Sequence, residues 1–415
     1  MHVYCRQLVV LVGGRGTRLG KLAENCPKPL MKITEQKVFL DYFLESAVRQ
    51  GFRDVLLLAG HLGEQVQSRY DHASIGGAHI SVVIEPEPRG TGGAFAFVRD
   101  RLASTFIAAN GDTLFDTNIR AVDAALHGSP DTLGVLALRK VENAGRFGSV
   151  NVDGDGRILS FQEKTAESEG QPGLINGGIY ALRLEAIDRL KHFPSSIEAD
   201  LFPQLASEGR LRGVESSGYF LDIGLPETYS RAVTELPARK RPVLFLDRDG
   251  VLNHDHGYVH AQDRWEWVPG AIRTIKAAND AGYAVVVVTN QAGIARGYYD
   301  ECDVWKLHHA VQKELYRHGA FVDAFYYSPY HKDAVHEPYR VQAALDRKPG
   351  GAMIQRAFRQ MNLSREGAFL LGDQESDVDA ATSAGISGYR FPGGDLYEWF
   401  ATLPHSQPIV SESRI

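Results

Sequence analysis

Over the first 110 residues, short runs of Val, Leu and Ile alternate with longer stretches whose apolar positions recur at helical spacing. The runs Leu8–Val12, Val55–Ala59, Ile80–Ile84 and Phe106–Ala109 predict strands of a mostly parallel sheet covered by helices on both faces. Gly and Asp gather just past these runs, where α/β sheets bind ligands. Past Pro130 the pattern becomes irregular until Glu227–Val233. The polar, basic stretch Glu235-Leu-Pro-Ala-Arg-Lys-Arg-Pro242 then marks a domain boundary. The alternation restarts with Val243–Leu246, Tyr283–Val288, Phe321–Tyr327 and Ala368–Leu371. The pattern predicts an α/β chain of two Rossmann-like, three-layer α/β/α domains, residues 1–235 and 243–395, joined by a linker at 236–242 and followed by a loose polar tail at 396–415. No internal repeat is visible.

Composition narrows the function. At 415 residues, with 44% hydrophobic and 23% charged positions, the chain suits more than one globular core and excludes disorder or a single peptide-binding module. Lys and Arg number 45 against 51 Asp and Glu, with no block of like charge, so neither nucleic acid nor an anionic membrane is expected as a partner. Cys5, Cys26 and Cys302 are scattered without CxxC spacing, which argues against a disulfide framework. The longest apolar runs are about a quarter of the roughly 20 residues that span a bilayer, and the first lacks the charged leader and cleavage site of a signal peptide. A cytoplasmic location is expected. The sequence leaves the oligomeric state open.

Chemistry is concentrated after the first strand of each half. Gly13-Gly-Arg-Gly-Thr-Arg-Leu-Gly20 lets backbone N–H groups approach a phosphate, with Arg15 and Arg18 adding charge, but it matches neither the P-loop nor the dinucleotide fingerprint. By spacing alone it is as readily a plain strand-to-helix turn. Pro27-Lys28-Pro29, Glu85-Pro-Glu-Pro-Arg-Gly-Thr-Gly-Gly93, Asn110-Gly-Asp112, Glu163-Lys164, Asn176-Gly-Gly178 and Phe220-Leu-Asp-Ile-Gly224 follow in order. Over residues 7–235 this series resembles the sugar-1-phosphate nucleotidyltransferases. Residues 173–180 and 218–227 look most like the D-glycero-α-D-manno-heptose 1-phosphate guanylyltransferases.

The resemblance implies in-line attack of a sugar 1-phosphate on the α-phosphorus of a nucleoside triphosphate, a reaction between polyanions that needs alignment and neutralisation. It implies that Gly13, Gly14, Gly16, Thr17, Arg18 and Lys28 hold the triphosphate, with Arg18 and Lys28 also stabilising developing charge. Glu85, Gly90, Thr91 and Gly92 would contact the base, Glu163 and Lys164 the sugar phosphate, and Asn176 and Gly177 the sugar. Asp112 and Asp222 would hold Mg²⁺, a hard cation that prefers oxygen ligands. Asn151-Val-Asp-Gly-Asp-Gly156 imitates the start of an EF-hand loop, but its twelfth position is Gln162 rather than Glu, so a hairpin turn is expected there.

In the second half, Val243–Leu246 leads into Asp247-Arg-Asp249, two acids spaced so that one carboxylate can attack phosphorus while the other moves a proton. Thr289-Asn290-Gln291, Arg347-Lys348-Pro349 and Gly372-Asp373 with Asp377 follow in order. The set resembles the haloacid-dehalogenase-like phosphatases over residues 242–390. The resemblance implies that Asp247 forms a phospho-aspartyl intermediate and Asp249 acts as acid and then base. Thr289 and Lys348 would hold phosphoryl oxygens, and Asp247, Asp373 and the Asp249 backbone carbonyl would hold Mg²⁺. Asp377 is either a residue that orients this shell or an ordinary helix N-terminal acid.

Asp255-His-Gly-Tyr-Val259 and Asn290-Gln-Ala-Gly-Ile-Ala-Arg-Gly297 look like the heptose 1,7-bisphosphate 7-phosphatases and the histidinol-phosphate phosphatases, which would give His256, Asn290, Arg296 and Arg347 substrate contacts. His254, His256 and His260 fit no common closed metal site. Relatives often carry a zinc loop. Here Ser328-Pro-Tyr-His331 and Ala344-Leu-Asp-Arg-Lys-Pro349 lack its cysteines, so no zinc is expected. Gln374 stands where relatives often have Lys.

The two halves suit one another chemically. Loss of the 7-phosphate from a heptose 1,7-bisphosphate leaves the 1-phosphate that a guanylyltransferase joins to GTP, so the resemblances together imply synthesis of GDP-heptose. A nucleotidyltransferase for another sugar, such as mannose 1-phosphate, fused to a less specific phosphatase remains an alternative. So does a chain in which one half only senses ligand.

Overall fold

The computed structural model describes residues 4–14, 16–144, 149–162 and 171–412. The chain divides into two compact units, residues 1–239 and 240–415. In the first, the N-terminal strands are β1 (Gln7–Leu11), β2 (Asp54–Ala59), β3 (Ser74–Ile75), β4 (Ala78–Ile84), β5 (Thr105–Asn110) and β6 (Thr113–Phe115). They are followed by β7 (Gly134–Val141), β8 (Ser149–Val152), β9 (Ile158–Gln162), β10 (Gly173–Arg183), β11 (Leu211–Ser216) and β12 (Phe220–Asp222). The main sheet has the order β11-β7-β10-β5-β1-β2-β4-β3.

β1 lies between β2 and β5, parallel to both, with Leu8 beside Val55 and Ile107. Alternate residues serve opposite faces. Leu8 and Val10 pack with Phe39, Phe43 and Leu44 of the helix Phe39–Arg49, while Val9 packs with Phe95 and Phe202 on the other side. Each fully buried side chain of this size contributes about 1.5–3 kcal/mol.

The expectation of irregular chain past Pro130 is corrected, because three strands of the main sheet lie there. β10 runs antiparallel to β5 and β7, and β11 runs parallel to β7. Asn176-Gly-Gly178 hides β10 in the sequence. The pairing with β7 shifts between Asn176 and Tyr180, and Gly178, at φ +77°, takes a left-handed conformation that a side chain disfavours. β8 and β9 form the expected hairpin, its turn closed by Asp153 Oδ1 accepting from Asp155 N and Arg157 N, both at 2.9 Å.

The second unit holds β13 (Val243–Leu246), β14 (Ala284–Asn290), β15 (Ala324–Ser328), β16 (Phe369–Gly372) and β17 (Ser387–Arg390). They form a parallel sheet in the order β15-β14-β13-β16-β17. Leu244 and Leu246 pack into one core layer, Val243 and Phe245 into the other.

Two boundary expectations are corrected. The helix Pro226–Ala238 runs three residues into the expected linker. The expected loose tail carries helices Leu396–Phe400 and Gln407–Glu412, and Leu396, Phe400, Leu403 and Ile409 are buried in the second unit's core. These helices are too short to display a periodicity that outweighs their polar neighbours. Among the described residues, no helix is long and apolar enough to cross a membrane.

Candidate active sites

In the first unit a cleft of about 580 Å³ opens at the carboxyl ends of β1 and β5. Gly13, Gly14, Gly16, Arg18 and Lys28 line it from the first loop. Glu85, Gly90 and Thr91 line it from the segment after β4, and Asp112 from the turn after β5. Thr17 begins a tight 3-10 turn that runs to Ala23. Glu163 and Lys164 lie outside the described residues.

Pairing of β12 with β6 sets Asp222 opposite Thr113, next to Asp112, although 109 positions separate β12's last residue from Thr113 in the chain. The Lys28 stem is buried, and its Nζ lies 2.7 Å from Asp112 Oδ2 and 3.7 Å from Asp222 Oδ1. One ammonium therefore bridges two carboxylates. Burial, reinforced by the neighbouring Asp112 charge, raises the Asp222 carboxyl above its usual range, against the pull of Lys28. Asp222 Oδ1 is buried without a hydrogen-bond partner. Glu85 is likewise raised by burial, and its Oε1 is buried and unpartnered.

Gly90, at φ +74°, abuts the Ser195 carbonyl, where a Cβ would collide with the oxygen. Thr91 Oγ1 donates to Glu198 Oε2 at 2.8 Å and accepts from Ile197 N at 2.9 Å, so its hydroxyl is engaged within the protein. Gly92 donates its N–H to the Ser195 carbonyl at 2.9 Å. Asn176 Nδ2 donates to the Tyr180 hydroxyl at 2.9 Å, and Gly177 packs against the Phe115 ring. Glu198 and His61 also line the cleft. Sequence reasoning missed both, since neither stands in a recognisable motif.

In the second unit a cavity of about 440 Å³ lies at the carboxyl ends of β13, β14 and β16. Lys348 Nζ sits 2.6 Å from Asp247 Oδ1 and 2.6 Å from Asp377 Oδ1, all three side chains being buried. Burial and the Asp377 charge raise the Asp247 carboxyl, and Lys348 opposes them. Carboxylate oxygens of Asp247, Asp373 and Asp377 lie within 4.8 Å of one another. Asp377 Oδ2 also accepts from Gln374 N at 3.0 Å, capping the helix Glu375–Ala384. Asp377 thus caps the helix with one oxygen and contacts Lys348 with the other. Gln374 Nε2 donates to Asp373 Oδ2 at 2.6 Å.

Asp249 is turned to other partners. It accepts from Arg248 Nη2 at 2.8 Å, Asn253 Nδ2 at 2.9 Å and Gln291 Nε2 at 3.0 Å. Arg248 is fully buried, and His308 beside it is pushed down to about 3 by burial and by the Arg248 charge, so the pair carries a single positive charge.

Thr289, Asn290, Arg296 and Arg347 all line the cavity. The Asn290 side chain clamps the Lys348 backbone, accepting from its N–H at 3.0 Å and donating to its carbonyl at 3.1 Å. Burial and nearby Arg296 lower the Arg347 guanidinium, so two cations crowd one end of the cavity. His256 is corrected. It is absent from the cavity lining, and its Nε2 lies 2.8 Å from Glu266 Oε2, while its loop neighbours Asp255 and Tyr258 line the cavity instead. The alternation of the loop was unreadable without its fold. His331 lines the cavity from a loop closed by backbone bonds, including His331 N to Tyr339 O at 3.0 Å.

A parallel strand ends in paired acids opposite a lysine and a threonine, an arrangement chemically suited to phosphoryl transfer. The first cleft is glycine-rich and its two carboxylates are bridged by Lys28, an arrangement chemically suited to a nucleotide's phosphates. Residues 7–239 match the nucleotidyl transferase family, and residues 345–394 match the HAD-hydrolase-like family. The chain is 43% identical over 159 residues to a D-glycero-β-D-manno-heptose-1,7-bisphosphate 7-phosphatase of Rhodopseudomonas palustris, covering 38% of this chain and 88% of that protein. It is 34% identical over 234 residues to a D-glycero-α-D-manno-heptose 1-phosphate guanylyltransferase of Aneurinibacillus thermoaerophilus, covering 55% and 98%. The crystal structure of HddC from Yersinia pseudotuberculosis aligns with a TM-score of 0.50 at 30% identity, over 56% of this chain and 100% of that one. The chain thus belongs to the nucleotidyl transferase family through its first unit and to the haloacid-dehalogenase-like phosphatases through its second.

Proposed function

We propose that this nucleotidyltransferase and phosphatase makes GDP-D-glycero-α-D-manno-heptose in two steps. The second unit first removes the 7-phosphate of the heptose 1,7-bisphosphate, and the first unit then transfers GMP from GTP to the 1-phosphate, releasing pyrophosphate. The observation that carries this is the fusion itself: relatives of the two units are named for reactions in which one product is the other's substrate. The phosphatase relative is named for the β anomer and the guanylyltransferase relative for the α. Product leaves through the transferase, so the transferase sets the anomer that is productive, and we assign α.

In the phosphatase, Asp247 Oδ attacks phosphorus, the bond to the sugar oxygen breaks, and Asp249 supplies the proton that the oxygen takes. Asp249 then takes a proton from the water that opens the phospho-aspartate, freeing phosphate. Thr289 and Lys348 hold phosphoryl oxygens throughout, and Arg296 and Arg347 hold the distal phosphate. In the transferase, Arg18 and Lys28 hold the triphosphate in line for the sugar phosphate oxygen, with Glu85 at the base and Glu163 and Lys164 at the sugar phosphate.

Mg²⁺ fits both sites. Asp222 Oδ1 is buried beside Asp112 with no hydrogen bond, only Lys28 Nζ at 3.7 Å, and three carboxylates converge at Asp247, Asp373 and Asp377, arrangements that a hard cation relieves. Asp112 and Asp222 would hold it in one site, and Asp247, Asp373 and the Asp249 carbonyl in the other. The ion would add positive charge at the phosphoryl oxygens.

The test incubates the full chain with Mg²⁺, a mixture of nucleoside triphosphates and either anomer of the bisphosphate, or mannose 1-phosphate. Phosphorus NMR and mass spectrometry follow the products. GDP-heptose from the α anomer alone, with the 7-phosphate released, is expected. GDP-mannose formation without GDP-heptose overturns the assignment of the sugar.

A further inference from the structure

Gln291 ends the Thr289-Asn290-Gln291 motif, and the reaction as described gives it nothing to do. Its side chain is buried, and both of its polar atoms are committed. Nε2 donates to Asp249 Oδ2 at 3.0 Å and to Thr289 Oγ1 at 3.0 Å, while Oε1 accepts from the Tyr299 hydroxyl at 2.7 Å. Chemistry dictates these directions. Asp249 already accepts from Arg248 and Asn253, so the amide nitrogen faces it, and the amide oxygen faces the phenol hydroxyl. Burial pushes the Tyr299 phenol up to about 12, which keeps it a donor.

Two consequences follow for the neighbours of Gln291. Because Thr289 Oγ1 already accepts an amide hydrogen, its own hydroxyl hydrogen is left to point into the cavity. Arg248 and Asn253, the other donors to Asp249, sit on its own loop and move with it. Gln291 reaches Asp249 from the end of the neighbouring strand β14, so it ties the two loops together.

We propose that Gln291 is a positioning residue of the phosphatase, anchored by Tyr299. It holds Asp249 in register with Thr289 and directs the Thr289 proton toward the phosphoryl group. The inference deepens the phosphatase reading above and rests on it. Its signature is dependence on the leaving group. An alkoxide departs from phosphorus only with a proton from Asp249, whereas a nitrophenolate departs without one. Displacing Asp249 therefore slows alkyl esters selectively, while general damage to the site slows both alike.

The experiment uses the full chain with Mg²⁺ and compares kcat/KM for p-nitrophenyl phosphate and for an alkyl ester, the heptose 1,7-bisphosphate of the proposed reaction. For Gln291→Ala we expect a loss of about 100-fold on the alkyl ester, the scale of general acid catalysis, and about 10-fold or less on the aryl ester. Tyr299→Phe removes one hydroxyl without changing the packing, and should cost about fivefold on the alkyl ester, the worth of one hydrogen bond. Equal losses on the two esters in both variants overturn the positioning role and leave the phosphatase reading intact. A wild-type chain that hydrolyses neither ester overturns the phosphatase reading and the inference with it.

Discussion

Replacing Lys348 by Met keeps the aliphatic stem and deletes the one charge shared by Asp247 and Asp377, each 2.6 Å away and buried. In a metal-chelated protein the variant leaves three carboxylates facing one another within 4.8 Å. Removing one partner of a buried ion pair costs about 3–5 kcal/mol. For a unit of roughly 150–250 residues that corresponds to a fall in Tm of about 6–20 °C. Two conditions should shrink the loss. Mg²⁺ replaces the missing positive charge, and lower pH protonates Asp247 and Asp373, whose carboxyls burial and the neighbouring Asp377 charge raise. For such raised groups the unfavourable charge is present at high pH and is relieved as pH falls through the folded value. Thermal unfolding of the second unit, followed in EDTA and in Mg²⁺ at pH 5 and pH 8, reads all three effects. A Tm loss equal in EDTA and Mg²⁺ would refute the reasoning, because the cost would then lie in packing and not in uncompensated charge.

Three further outcomes are expected. Phe400→Ala, a fully buried ring stacked on Phe369 at 6.3 Å, should destabilise the second unit by about 3–5 kcal/mol in denaturant unfolding, where a loose tail would show no change. Gly90→Ala, whose new methyl meets the Ser195 carbonyl, should lower nucleotidyl transfer by at least about 10-fold while phosphate release is unchanged, since small displacements in an alignment-dependent site cost rate steeply. His308, pushed down to about 3 in the fold, stays neutral while the unfolded chain takes up a proton near its ordinary value of about 6.5, so stability falls as pH drops below that value. By pH 5 the loss reaches about 2 kcal/mol. His308→Gln, which keeps an acceptor for Arg248, should flatten that slope in pH-dependent urea unfolding.

The strands that begin each site were legible because they are continuous apolar runs with a glycine-rich or acidic loop behind them. Val243–Leu246 needs no partner to be recognised, and Asp247 and Asp249 follow from its end. Lys28, Asp112, Thr289, Lys348 and Asp373 were legible through the family resemblance of the ordered motifs that carry them. β10 was illegible because an Asn-Gly-Gly bulge breaks its period, and its neighbours β7 and β11 escaped with it. The resemblance put Asp222 and Asp112 in one site, and the tertiary structure supplies the three-residue pairing across the chain that sets them side by side. The tertiary structure alone turned His256 toward Glu266, divided the oxygens of Asp377 between a lysine and a helix cap, and brought Glu198 to the first cleft. The physical reason is range. A strand or a phosphate loop is specified by neighbours within a few residues, whereas the direction of a side chain in a loop is set by tertiary contacts, ten positions apart for His256 and Glu266 and 107 apart for Thr91 and Glu198, which local pattern does not encode.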